Sequence, residues 1–173
     1  MTLFITQMPR WLIKNLLLLA IFSLIGCRGE AGIPHGRLAT KDGKLIKVEL
    51  ALTDKTQKQG LSGRKAGSLK ANQGMLFVYD NTEPRSFWMP DTYFDLDIFF
   101  LNKDLTIVHI ERDVPHHPGR KEPPAIARTK AVNCQYVLEL DAASPLSKKL
   151  LVGQKLKWLG SSSLSKIKLK THP

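Results

Sequence analysis

The segment "RSFWMPDTYFDLDIFF", residues 85 to 100, limits the fold more than any other part of the chain. In an extended strand Leu96, Ile98 and Phe100 share one face, while Asp95, Asp97, Phe99 and Leu101 share the other. Both faces carry apolar bulk, and Asp97 lies between large apolar neighbours. An ionised carboxylate in that setting needs partners, because an unpaired buried charge is costly. Arg85, Arg64 or loop N–H groups are the available donors.

Similar short segments recur along the chain. "LIKVELAL" (45–52), "GMLFVYD" (74–80), "RSFWM" (85–89), "FDLDIFFL" (94–101), "LTIVHIERD" (105–113), "QYVLEL" (135–140) and "KLKWLG" (155–160) read as strands. The turn residues "DNTEP" and "NKD" separate some of them, and "NKD" makes a hairpin of its neighbours. Residues 115 to 124, "PHHPGRKEPP", hold four prolines and a glycine and cannot continue a ladder, since proline lacks the N–H. One short helix, capped by Thr53 or Asp54, is expected to about Lys65, and another in "SPLSKKLLVG", capped by Ser144 and ended by Gly153. The expected fold class is mainly β (α+β): a compact antiparallel curled sheet or small barrel with one or two short helices, forming a single domain over residues 44–160. Residues 161–173 form a basic tail, either frayed or a last edge strand.

The start of the chain bears on location. Arg10 and Lys14 precede the apolar run "LLLLAIFSLI" and Gly26-Cys27, the pattern of a secretion signal over residues 1–26. That run is shorter than the roughly 20 apolar residues that span a bilayer. "LIGC" resembles a bacterial lipobox, which makes Cys27 the lipidation site and new N-terminus, and residues 27–43 a tether. Arg28 stands where an aspartate would signal inner-membrane retention, so the expected location is the outer membrane, facing the periplasm. Cys134 is then alone and no intramolecular disulfide is available. The formal charge of +11 falls to +9 when Arg10 and Lys14 leave with the signal. Such a charge favours membrane head groups, lipopolysaccharide or acidic wall polymers, and in an exported protein it does not point to nucleic acid. Oligomeric state is not legible.

Several residues could carry chemistry. Asp95 and Asp97 are two apart on one strand face, about 7 Å between Cα atoms, a separation compatible with acid/base or glycoside chemistry. They point the same way, however, whereas hydrolytic pairs flank a bond. A turn at Asp95 and a structural hydrogen bond at Asp97 are the competing reading. His116 and His117, with Asp113, form a loose candidate metal site; no third ligand has the usual spacing, and no cofactor is expected. Cys134, at the start of an apolar strand, reads first as a small buried hydrophobe. Trp88, beside Met89 and Pro90 at a strand end, could line a cleft mouth.

Gly60-Leu61 with Arg64, Gly74-Met75-Leu76-Phe77, Phe87-Trp88-Met89 with Thr92, Leu96-Asp97 and Val137-Leu138-Glu139 together resemble the domain of unknown function 192 family, small prokaryotic proteins often exported. The resemblance runs from about Leu45 to Trp158 and implies a compact, mainly β domain without an established activity. The family pattern has Met at Ser62, Asn at Asp91 and Pro at Asp95, which weakens a catalytic pairing of Asp95 with Asp97. The residues expected to line a shared ligand site are Arg64, Trp88, Asp91, Thr92, Asp97 and Glu139; they serve equally as a hydrogen-bonded frame. Three functions follow: a binding lipoprotein for a small molecule or envelope polymer, an envelope glycan hydrolase or transferase using the acidic cluster, and a structural or partner-binding module.

Overall fold

A computed structural model describes residues 33–171; the signal segment, Cys27 and the first part of the expected tether, residues 27–32, lie outside the described residues. Seven strands form one curled sheet in the order β5-β4-β6-β3-β2-β1-β7. They are β1 (His35–Ala39), β2 (Leu45–Ala51), β3 (Gln73–Arg85), β4 (Leu96–Leu101), β5 (Ile107–Val114), β6 (Val132–Asp141) and β7 (Lys157–Trp158). Two short helices accompany them, α1 (Asp54–Gln59) and α2 (Leu164–Leu169), with a 3₁₀ turn at Ser147–Lys149.

Strand β4 is buried at every position and lies between β5 and β6, as apolar bulk on both faces requires. Its alternation divides the core. Phe99 and Leu101 join Leu38, Ile46, Val48, Leu76, Leu138 and Leu140 on one face. Leu96, Ile98 and Phe100 join Met75, Phe77, Met89, Ile126 and Val137 on the other. Both clusters and the whole sheet come from residues 33–171, which lie within one compact unit.

Several local expectations are corrected. Residues 35–39, expected in the tether, pair antiparallel with β2 from His35↔Glu49 to Ala39↔Leu45, so the domain begins before Lys44. Only Leu38 of this strand is buried, too little apolar pattern to announce it. "DNTEP" is no turn: β3 runs through it to Arg85, with an irregularity between Val78 and Glu83 in its pairing with β6. "RSFWM" is not a strand; Trp88 alone bridges to Arg128. β2 and β3 pair in parallel, because the 52–72 connection carries the chain back to the same end of the sheet. Helix α1 has the expected Thr53 cap, a capping box with Thr56, but ends at Gly60 (φ 49°) well short of Lys65. The expected helix of residues 144–153 shrinks to the 3₁₀ turn.

The tail is helix α2, not an edge strand, and belongs to the domain: Leu164 joins the first cluster. Lys168 is buried, and its Nζ donates to the Val78 carbonyl at 3.0 Å, which also accepts from Gln57 at 2.8 Å. The carbonyl beside the β3 irregularity is thereby satisfied. Residues 153–158 strap the two sheet edges. The Gly153 N–H donates to the Ile107 carbonyl of β5, and Trp158 pairs with Leu38 of β1.

Candidate binding site

The sequence-derived residues divide between the two sheet faces. Asp97 belongs to the face of Phe99 and Leu101 and is fully buried. Its Oδ2 accepts from Arg112 Nη1 at 2.7 Å and Ser147 Oγ at 2.6 Å, and its Oδ1 accepts from the Asp113 N–H at 2.9 Å. Burial opposes the charge, but these bonds outweigh it and hold the carboxyl below its ordinary range. Arg112 also donates to the Ser147 and Leu150 carbonyls, tying β5 to the 147–150 turn. Asp97 is thus a satisfied structural anchor. The expected donors Arg85 and Arg64 are elsewhere; the pairing of β4 with β5, whose register is not legible in one chain, supplies Arg112 instead.

The other candidates lie on or around the opposite face. Ser62 Oγ donates to the Pro90 carbonyl at 2.8 Å and the Gly63 N–H to the Asp91 carbonyl at 2.7 Å, which joins the Arg64 loop to the loop after Trp88. Asp91 has φ 55°, a left-handed conformation that Asn and Asp tolerate best, which accounts for both residue types at this position. Its Oδ1 accepts from Tyr93 Oη at 3.0 Å. Thr92 is buried and saturated: its hydroxyl donates to Met89 O at 2.8 Å and accepts from the His117 N–H at 3.0 Å. Trp88 is exposed, with the Arg128 guanidinium 4.4 Å from its ring centroid.

Glu139 shares a register row with Glu49 and Met75 on one side and Ile98 and Glu111 on the other. It is buried, its Oε2 has no hydrogen-bond partner, and desolvation pushes its pKa up to about 8. At neutral pH it is mostly a neutral acid. Two strands away, Glu49 is held by a two-pronged ion pair with Arg64, one contact at 2.8 Å through Nη1 and a second through Nη2.

Beside this ion pair is a cleft of about 400 Å³ whose lining includes His35, Arg37, Lys47, Glu49 and Gln73. Neither Arg37 nor Lys47 has an acidic partner among the described residues. The sequence held a signal for half of it, since Lys47 and Glu49 alternate with Ile46 and Val48 in β2; His35 and Arg37 were hidden in the expected tether. Glu139, Trp88 and Asp97 do not line this cleft.

The remaining candidates diverge. His116 Nδ1 meets Asp95 Oδ1 at 2.6 Å, the His117 ring meets the Lys121 carbonyl at 2.9 Å, and Asp113 accepts from Lys148 at 2.7 Å. No group of three His, Cys, Asp or Glu among the described residues could hold a metal ion. Cys134 is buried in the second cluster, and desolvation pushes its thiol up to about 11. No described helix is long and apolar enough to cross a membrane.

Comparison with solved structures finds two bacterial relatives. A Sinorhizobium meliloti 1021 protein, described as a candidate transcription regulator, is 32% identical, covers 75% of this chain and 98% of its own, and superposes with a TM-score of 0.58. A protein of unknown function from Novosphingobium aromaticivorans DSM 12444 is 25% identical over 72% of this chain and 84% of its own, with a TM-score of 0.56. No curated protein matches. The profile of DUF192, described as an uncharacterized ACR, matches residues 37–158, from β1 to β7. With that match across the sheet, and a relative 32% identical over three-quarters of the present sequence, this chain belongs to the DUF192 family.

Proposed function

We propose that the chain is a lipoprotein of the bacterial envelope, anchored at the outer membrane through Cys27 and facing the periplasm, whose domain binds an anionic small molecule or envelope polymer and carries out no reaction. The observation that carries the binding reading is the cleft beside the Glu49–Arg64 ion pair. Arg37 and Lys47 contribute unneutralised charge there, and β-strands fix the backbone on which both stand. Glycan hydrolysis requires two carboxylates facing one bond. Asp91, Asp95 and Asp97 are each turned to a separate partner, which favours binding over turnover.

The test is a thermal-shift series on residues 28–173 with inorganic phosphate, lipopolysaccharide, muropeptides and a DNA duplex. Ligand at a hundredfold over Kd stabilises the native state by about 2.7 kcal/mol. The expected outcome is a rise in Tm with an anionic envelope probe that is lost in Arg37→Ala/Lys47→Ala and kept in Trp88→Ala. A rise that survives the double substitution, or none with any probe, overturns the cleft assignment. A rise confined to DNA would extend the description of the Sinorhizobium protein to this chain instead.

A further inference from the structure

The turn at residues 150–153 is built unlike the rest of the surface. Leu151 and Val152 project at 58% and 60% exposure, the largest exposures of any big apolar side chain among the described residues outside the terminal helix. Their backbone is held firmly. Gly153 supplies the left-handed corner (φ 86°), its N–H bonds to Ile107 O at 2.8 Å, and the Ile107 N–H bonds to Gln154 O at 2.9 Å. Leu150 and Leu156, on either side, are buried in the first cluster. Two aliphatic side chains are thus presented to solvent on a hydrogen-bonded turn between two buried leucines.

Lysines flank this tip along the chain. Lys149, Lys155 and Lys157 are exposed and have no acidic partner among the described residues, while Lys148 is neutralised by Asp113 at 2.7 Å. Next to the turn is a depression of about 390 Å³ lined by Lys41, Lys44 and Lys149 with Leu146, Leu150 and Gln154. Its single carboxylate, Asp42, is already engaged by Thr40 Oγ1 at 2.6 Å and Lys44 at 3.1 Å. We infer that this surface docks on an anionic phospholipid bilayer: Leu151 and Val152 enter the acyl boundary, and the lysine-lined depression receives a lipid phosphate. Apolar residues at a tip beside a lysine-lined depression match the two layers of such a surface, apolar beneath and anionic above. The contact depends neither on acylation of Cys27 nor on the Arg37–Lys47 cleft.

Co-sedimentation of residues 28–173, which include the whole sheet and both core clusters, with phosphatidylcholine vesicles, with and without phosphatidylglycerol, tests it. The protein is expected to pellet with the anionic vesicles only. Leu151→Ser/Val152→Ser should weaken binding about ten-fold or more, and Lys149→Gln and Lys155→Gln about five-fold each. All four side chains are exposed, so an unchanged Tm confirms that the variants are folded. Equal pelleting with neutral vesicles, no pelleting, or binding insensitive to the Leu151 and Val152 substitutions would each overturn the inference; the last would reduce it to diffuse charge attraction.

Discussion

Asp97 and Glu139 are buried acids with opposite settings. Asp97 has three donors and a carboxyl pKa below the ordinary range, so its contribution to stability is present at neutral pH and is lost as pH falls through the native value. Asp97→Asn, which leaves Arg112 without its counter-charge, is expected to cost about 3–5 kcal/mol in urea unfolding at pH 7. Glu139 has no partner at Oε2 and a pKa raised to about 8 from 4.5. In that window the unfolded chain gives up the proton and the native state keeps it. Stability should therefore fall by about 1.4 kcal/mol per pH unit between the two values. Glu139→Gln should flatten the slope, and denaturant melts at pH 5 and pH 8 measure it. The need for a partner at Asp97 was legible from Phe99 and Leu101 beside it, but its identity was not. Arg112 is fifteen residues away and meets Asp97 only because β5 folds back on β4 with an irregular register.

At the scale of elements, β3 and β6 form the central pair of the sheet, and Gly74 sets their approach. A Cβ there would lie 2.3 Å from the Glu139 carbonyl oxygen and 2.4 Å from Leu140 Cδ2. The first of these is backbone and cannot rotate away. Gly74→Ala is expected to destabilise by more than the roughly 1 kcal/mol typical of a substitution, visible as a large drop in urea midpoint. The "GMLF" segment was legible as a strand from its apolar run, whereas its continuation through "DNTEP" was not. Propensity favours a turn at Asp80, Asn81 and Pro84, but pairing of Glu83, Pro84 and Arg85 with Cys134, Asn133 and Val132 overrides it. A similar override makes a strand of His35–Ala39, which has little apolar content and is held by β2 on one side and β7 on the other.

For the whole molecule, the proposed lipid anchor and the proposed lysine-flanked docking tip would act on the same kind of surface. If Cys27 carries the anchor, wild-type protein should remain with membranes through a high-salt wash, whereas Cys27→Ser chains, once the signal is cleaved, should be released by salt as screening weakens the lysine contacts. Retention of the cleaved variant at high salt would show that acylation at Cys27 is not the anchor. The sequence by itself determined the mainly β class, most of the strand positions, the family and the burial of Leu96–Leu101, because these depend on local apolar alternation and on motif residues contiguous in the chain. Only the tertiary structure decided that Asp97 and Trp88 belong to separate environments, that β2 and β3 run parallel, and that His35 and Arg37 meet Lys47 beside Arg64. Those outcomes depend on which strands become neighbours and in what register, and a one-residue shift in register sends every side chain to the opposite face.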